Sequence, residues 1–181
     1  MKQNLVIRTA TENDIDEITV MVDDFSIGHP SENYPRNKSS VKKAFFDGSQ
    51  VAHLCIAERK DIILGMGLWL PYYDFFWGKL GGILEWLYVK PQYRGTGVSA
   101  AIVAELCSQV RRNGGEFVYG EGLNQNISKL YERVAIGWDA KKCAISGEAF
   151  QVLADLTGLP PRQIVKGLPS PELNKVEAKK R

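Results

Sequence analysis

The segment from Gly82 to Arg112 constrains the fold of this chain more than any other. An apolar run over 82–89 predicts a buried β-strand, and a helical pattern over 98–112 predicts a long helix. A short turn that contains Gly95 and Gly97 stands between them. Glycine permits tight backbone conformations and lets a ligand approach the main chain. Two glycines alone would fit a plain connecting loop, so the prediction of a ligand site depends on the strand, the arginine and the long helix that stand beside them.

The turn and the start of the helix have the chemistry of a pyrophosphate site. The first N–H groups of a helix have no partner within it, and the positive end of the helix dipole lies there. Arg94 adds a cation at the same place. The stretch 95–100 also fits the dinucleotide fingerprint G-x-G-x-x-A, with Glu121 placed for a ribose. Five residues between the strand and Gly95 count against that alternative, which stays open, whereas a P-loop is excluded because no Gly-Lys-Ser/Thr follows.

The rest of the chain predicts one α/β (α+β) domain over 1–168 and a mobile tail over 169–181. Helical patterns alternate with hairpin-paired apolar runs, which favours a mixed sheet between layers of helices. Pro71 is expected to end a strand that begins at Ile62. The aromatic segment Pro71–Lys79 is expected to line the substrate site, to cover a homodimer interface or to complete the core. Residues 149–156 fit a helix or a strand, and residues 162–166 fit a short helix.

Composition and cysteine spacing argue against several classes of function. The chain has 181 residues, 44% of them apolar and 24% charged, an ordinary balance for a folded protein. A net charge of +2 does not favour nucleic acid or a membrane as a partner, and no run approaches the roughly 20 apolar residues that span a bilayer. Cys55, Cys107 and Cys143 form no C-x-x-C or Cys/His cluster. We therefore expect reduced thiols, no bound metal and a cytoplasmic protein without an apolar signal region.

Two motifs of this chain resemble those of the GNAT superfamily of N-acetyltransferases. The turn resembles the pattern Q/R-x-x-G-x-G/A: Arg94 and Gly97 match, and Ser99 replaces the usual Gly or Ala. The stretch from Asn124 to Tyr131 resembles N-x-x-A-x-x-L-Y, with isoleucine in place of the alanine. The resemblance covers residues 4–145, over which the order of the predicted elements also agrees with the family.

The resemblance implies a three-layer sandwich, whose mixed and mostly antiparallel twisted sheet is flanked by helices. It also implies acetyl-CoA as the cosubstrate, no metal, and transfer of an acetyl group to the amine of a small molecule or a peptide. Leu87, Tyr88 and Val89 would then bind the pantetheine arm through their backbone, and Asn124 would flank the cofactor. The residues expected to cradle the pyrophosphate are Arg94, Gly95, Thr96, Gly97, Val98 and Ser99.

Two side chains are expected to move protons in such a reaction. Glu85 matches an acidic position that serves as a base in some GNAT enzymes, and an ideal strand places it on the same face as Val89. Tyr131, with an ordinary pKa of about 10, would protonate the leaving thiolate. Alternatively, Glu85 is a solvent-facing or salt-bridged carboxylate and Tyr131 is an aromatic ring packed on the inner face of its helix. The alternative for the whole chain is a module that binds acyl-CoA without catalysis. Weaker candidates for the base are Glu58, Asp74 and Glu121.

Overall fold

The computed structural model describes residues 4–27, 37–48, 52–121, 136–137 and 142–169, with the backbone alone at 121, 136–137 and 142–144. Asn124 and Tyr131 therefore lie outside the described residues. The helices are α1 (Ile15–Ser26), α2 (Lys38–Phe45), α3 (Val98–Arg112), α4 (Gly147–Asp155) and α5 (Pro161–Gly167). The strands are β1 (Val6–Thr9), β2 (His53–Arg59), β3 (Ile62–Asp74), β4 (Lys79–Val89), β5 (Phe117–Glu121), β6 (Ile136–Gly137) and β7 (Lys142–Ser146).

The strands form one sheet in the order β1-β2-β3-β4-β5-β7-β6. Only β4 and β5 pair in parallel, and every other neighbouring pair is antiparallel. Helices α3, α4 and α5 pack on one face, and α1 and α2 pack on the other. This arrangement confirms the predicted three-layer fold with a mixed, mostly antiparallel sheet. Within the described part of the chain, no helix combines the length and apolar character needed to cross a membrane.

Helix α3 is the central element of the larger core. Ten of its fifteen residues are buried, because it lies between the sheet and the two C-terminal helices. Gly67 of β3 allows this close approach, since a Cβ at that position would lie 2.4 Å from Ile102 Cγ2. The predicted bounds of α3 are confirmed, and so is a helix in the segment 149–156, where the sequence left helix and strand open.

Pro71 does not end β3, contrary to the prediction. The strand continues to Asp74, and Pro71 lies opposite Gly82 of β4. On its other side, β3 pairs with β2 only as far as Trp69, opposite His53. Beyond that point, β3 has no second strand neighbour among the described residues. Proline lacks an N–H donor and is tolerated at such an edge.

Asp74 fixes the tight turn between β3 and β4. Its carboxylate accepts the N–H groups of Phe76 and Trp77, both at 2.8 Å, and the hydroxyl of Tyr119. Phe75 and Phe76 are 87% and 101% exposed, so the prediction that they complete the core is wrong for these two residues. The homodimer interface stays a prediction. Asp74 is therefore committed to this hairpin, at the opposite end of β4 from the glycine turn.

Arg8 joins β1, the start of α1 and β2 through two carboxylates. Its guanidinium donates to both oxygens of Asp14 at 2.8 Å and to Glu58 at 2.6 Å. The N–H and hydroxyl of Thr11 also donate to Asp14, at 2.7 and 2.9 Å. The hydrogen bond from Arg8, above all, lowers the pKa of Asp14 to about 2 in spite of its burial. Glu58 is held in the same network, which weakens its candidacy as a base.

Asp14→Asn should lower the free energy of unfolding by about 1–2 kcal/mol at pH 7. The folded-state pKa of about 2 lies below the ordinary 3.8, so the carboxylate stabilises the fold above about pH 4 and loses this contribution as the pH falls toward 2. Urea unfolding of parent and variant should therefore differ at pH 7 and converge near pH 2.

Asp16→Asn is the matched control, because Asp16 is an exposed carboxylate of α1 that pairs with Lys38. It should change the free energy of unfolding by less than about 0.5 kcal/mol at either pH. A gap between parent and Asp14→Asn that is as large at pH 2 as at pH 7 would contradict the ion-pair account.

Candidate functional site

The turn between β4 and α3 has the left-handed backbone that its two glycines allow. Gly95 has φ of +74° and Gly97 has φ of +87°. Thr96, between them, donates its hydroxyl to the carbonyl oxygen of Tyr93 at 2.6 Å and closes the turn. Helix α3 begins at Val98, directly after Gly97. Its first N–H groups have no partner within the helix, and they emerge where the turn ends. Together with the helix dipole, these groups form an anion-binding position.

Arg94 brings a cation to the same position. Its Nε donates to the carbonyl oxygen of Val89 at 2.9 Å, which folds the side chain back over the end of β4. The guanidinium carbon lies 5.8 Å from the ring centre of Tyr88. Burial, and next the hydrogen bond to Asp24, raise the pKa of Tyr88, so its hydroxyl remains protonated at neutral pH and donates to that carboxylate at 3.1 Å.

A β-bulge separates β4 from β5 halfway along the strand. Leu68 of β3 lies opposite Trp86 and Trp69 lies opposite Leu84, which leaves Glu85 as an extra residue of β4. The parallel pairing of β4 with β5 runs from Gly82 to Leu84 and ends at that point. Beyond the bulge, β4 therefore has a free edge among the described residues, on the side where β5 departs.

The backbone of Leu87 and Val89 points out of this free edge. In an antiparallel pair, residues that hydrogen-bond to the neighbouring strand alternate with residues whose N–H and C=O point away from it. Lys90 donates its N–H to Leu64 at 2.9 Å, so Tyr88 and Trp86 also face β3 while Leu87 and Val89 face outward. The carbonyl oxygen of Val89 accepts its hydrogen bond from Arg94, which agrees with this outward orientation.

A pocket of about 410 Å³ connects the free edge of β4 with the glycine turn. Seven of the ten residues predicted to bind the cofactor line it. Thr96 and Gly97 belong to the turn but do not line the pocket, and Asn124 lies outside the described residues. The lining residues are Asp24, Phe25, Ile27, Leu87, Tyr88, Val89, Tyr93, Arg94, Gly95, Val98 and Ser99.

Helix α1 and the residue after it line the part of the pocket that is not among the predicted cofactor residues. Asp24 and Phe25 belong to the C-terminal end of α1, and Ile27 follows the helix. The ring centre of Phe25 lies 5.5 Å from that of Trp86 and 6.3 Å from that of Tyr88. The pocket is therefore cationic and rich in N–H donors on the α3 side, and aromatic with one carboxylate on the α1 side. The signal available in the sequence was an apolar residue, Ile27, placed beyond the end of the helical pattern. In the structure its side chain is largely exposed.

Glu85 is exposed and stands at the point where β4 and β5 part. The bulge interrupts the alternation of side chains, so the ideal-strand argument that places Glu85 on the face of Val89 does not apply. Tyr131, the predicted acid, lies outside the described residues. Of the weaker candidates, Glu58 is paired with Arg8 and Asp74 holds the distant hairpin.

The cysteines that the structure describes with their side chains, Cys55 and Cys107, are buried and unpaired. Burial raises the pKa of Cys55 to about 12 and raises that of Cys107 above its ordinary value as well. Neither is a thiolate at neutral pH. Within the described ranges, no group of three or more His, Cys, Asp and Glu side chains is placed to hold a metal ion.

Comparison with known proteins gives a family match and a set of structural relatives. A family model described as the acetyltransferase (GNAT) family matches residues 18–135, more than half of the chain. The chain has no significant match among the curated proteins.

Three solved structures illustrate the likeness of the fold. A ribosomal-protein-alanine N-acetyltransferase from Brucella melitensis biovar Abortus has 16% identity and a TM-score of 0.61, with 75% of this chain and 93% of that chain covered. A putative acetyltransferase of the GNAT family from Desulfovibrio desulfuricans has 17% identity and a TM-score of 0.60, with 78% and 98% covered. An aminoglycoside acetyltransferase from an uncultured soil metagenomic sample, in complex with sisomicin, has 15% identity and a TM-score of 0.57, with 70% and 82% covered.

Proposed function

Because the chain belongs to the GNAT acetyltransferase family, we propose that it transfers the acetyl group of acetyl-CoA to an amine by direct attack in a ternary complex. Family membership makes the chain an acyltransferase, and acetyl-CoA is the donor that this family uses. The direct route, the residues that carry it and the class of amine are the parts proposed.

The observation that carries the proposal is the free edge of β4 leading to the start of α3 within one pocket. The outward N–H and C=O groups of Leu87 and Val89 can pair with the amide groups of a pantetheine arm, as an added strand would. The pyrophosphate would then lie at the first N–H groups of α3, beside Arg94. The pocket thus offers groups that suit the pantetheine arm and the pyrophosphate, in the order in which these two parts of CoA are joined.

The proposed reaction needs a neutral amine, a stabilised oxyanion and a protonated leaving group. The amine nitrogen forms a bond to the thioester carbonyl carbon, and the C–S bond then breaks to release the CoA thiolate. Glu85, which lies where β4 and β5 part, would take a proton from the amine directly or through water. A backbone N–H of β4 near Val89 would stabilise the oxyanion, and Tyr131 would return a proton to the thiolate.

The two cysteines whose side chains the structure describes are unsuited to carry an acetyl group, which agrees with the direct transfer that we propose. An acyl-cysteine intermediate needs a reactive thiolate within reach of the donor. Cys55 and Cys107 are buried with raised pKa values, so neither side chain meets that condition. Reduced thiols also agree with the cytoplasmic location that we propose.

The acceptor is proposed to be an amine on a small molecule or a peptide, since the structural relatives include enzymes named for an aminoglycoside and for a ribosomal protein. The α1 side of the pocket carries Asp24 and the pair Phe25–Trp86. A carboxylate and aromatic faces attract a cationic amine, which supports this class.

The proposal is tested by measuring acetyl-CoA-dependent release of free thiol across a panel of aminoglycosides, small primary amines and N-terminal peptides. We expect turnover with at least one amine and no release without an acceptor. Calorimetry with CoA and with NAD(P) separates the alternatives. Binding of NAD(P) but not CoA would favour the dinucleotide alternative, and CoA binding without turnover would favour a module that only binds acyl-CoA.

Ser99→Glu should weaken CoA binding by about 100-fold or more. The new carboxylate lies at the second position of α3, where the helix dipole stabilises an anion, so the fold should hold while the pyrophosphate is repelled. Ser99→Gln is the matched control, with nearly the same volume and no charge, and should lose at most about tenfold. Calorimetry measures both affinities, and parent-like binding by folded Ser99→Glu would put the pyrophosphate elsewhere.

Glu85→Gln should flatten the rise of kcat/KM with pH, because the amine would lose its proton acceptor. Steady-state kinetics between about pH 6 and 9 measure the profile once an acceptor is known. Glu116→Gln is the control, since Glu116 is an exposed carboxylate paired with Lys79 at the other end of the sheet. An unchanged profile in Glu85→Gln would remove Glu85 from the mechanism.

Tyr131→Phe should lower kcat by roughly 10²–10⁴ with little change in CoA affinity. The substitution keeps the aromatic ring and removes only the hydroxyl that would protonate the thiolate. Single-turnover thiol release and calorimetry measure the two effects separately. A kcat equal to that of the parent would show that solvent supplies the proton.

A further inference from the structure

The two C-terminal helices lie beyond the residues that the family model matches, and they pack along α3. Ile164 of α5 is only 1% exposed and belongs to the same core as Val98, the first residue of α3. At the other end of α3, Arg111 donates to Asp155 at 2.6 Å. The two C-terminal helices thus contact α3 near its first turn and near its last turn.

The first residue of α5 presses against the glycine turn. A Cβ built on Gly97 would lie 2.8 Å from Pro161 Cβ and 3.3 Å from both its carbonyl carbon and its carbonyl oxygen. A Cβ built on Gly95 would meet nothing within 4 Å. The two glycines therefore differ: the turn is open at Gly95, and Pro161 backs it at Gly97.

Pro161 is a rigid support for that contact. The proline ring fixes φ near −65°, and its missing N–H is not needed at the first position of a helix. The carbonyl oxygen of Pro160 accepts the N–H groups of Gln163 at 2.7 Å and Ile164 at 3.1 Å, which closes the first turn of α5. Burial of Ile164 then holds this turn of α5 on α3.

We propose that Pro161 is a positioning residue for the cofactor pyrophosphate, an inference that rests on the proposed function. The carbonyl of Gly97 accepts the N–H of Ala101 at 3.1 Å, so the orientation of Gly97 is tied to that of the first turn of α3. Val98 and Ser99 of that turn line the pocket. Pro161 restricts Gly97 to one orientation and thereby keeps the N–H donors aimed at the ligand.

The proposal predicts a loss of affinity rather than a loss of chemistry. Without Pro161, the turn would spend part of its time in conformations that do not bind, and the apparent affinity would fall by the populated fraction. The proposed base, Glu85, lies at the bulge of β4 and takes no part in this contact. At saturating acetyl-CoA, kcat should therefore stay near that of the parent.

The test compares three variants of the full chain by calorimetry with CoA. Pro161→Gly removes the ring and the Cβ that meets Gly97, and should weaken CoA binding at least about fivefold. Pro161→Ala keeps that Cβ and should stay within about twofold of the parent. Gln163→Gly loosens α5 at an exposed position two residues after Pro161, and it should lower the thermal midpoint without changing the affinity.

Two results of the calorimetry would overturn the inference. One is parent-like CoA affinity in folded Pro161→Gly, and the other is an equal loss in Gln163→Gly. Absence of CoA binding by the parent would instead refute the proposed function, and the inference with it. The two failures are therefore distinguishable by the behaviour of the parent alone.

Amide hydrogen exchange on the parent tests the same inference if Pro161→Gly fails to fold. Coupling between two sites is reciprocal, so CoA that is held by the supported turn should also stabilise α5. Saturating CoA should slow the exchange of the Gln163 and Ile164 amides at least about threefold, although neither residue lines the pocket. Slowed exchange at Val98 and Ser99 with no change at Gln163 and Ile164 would overturn the inference.

Discussion

The bulge at Glu85 is the feature on which the rest of the site depends. It adds one residue to β4 without adding one to β3, so β4 turns away from β5 after Leu84. A strand in the middle of a sheet normally has both rows of backbone groups paired, whereas the described strands leave one row of β4 unpaired beyond the bulge. The same residue offers a carboxylate where β4 and β5 part.

Helix α3 serves both the core and the site. Its body is buried between the sheet and the C-terminal helices, and its first turn presents N–H groups to the pocket. Contacts with the sheet and with the C-terminal helices hold α3 in place, so we expect its first N–H groups to be oriented before a ligand binds. This pre-organisation lowers the entropic cost of binding. The contact of Pro161 with Gly97 extends the same principle to the turn itself.

Local sequence signals predicted the elements that local physics determines. The bounds of α3 and a tight turn at Gly95 and Gly97 follow from apolar periodicity and from the conformational range of glycine, and both are confirmed. Pro71 misled the prediction because the effect of a proline depends on whether a neighbouring strand needs its N–H, and the pairing of β3 with β2 stops at Trp69. The sequence around Pro71 carries no information about where that pairing stops.

Features that depend on distant parts of the chain could not be predicted from the sequence. A bulge is defined by the register between two strands, so Glu85 looks like any other strand residue until β3 is placed beside it. The contact of Pro161 with Gly97 joins residues far apart in the chain, and it requires the docking of α5 on α3. The α1 wall of the pocket likewise depends on how the helix lies across the sheet. For these reasons, the cofactor residues on one continuous segment were predicted, and the position of Asp24 and Phe25 in the same pocket was not.

The central claim is that the free edge of β4 and the start of α3 together hold acetyl-CoA. A titration of the ¹⁵N-labelled protein with CoA, followed by amide chemical shifts, tests it most directly. The account predicts the largest changes at the outward N–H groups of Leu87 and Val89 and at Val98 and Ser99, with little change at Phe76 on the opposite end of β4. Saturation with CoA that leaves Leu87 and Val89 unchanged, or that shifts chiefly the hairpin at Phe76, would contradict it.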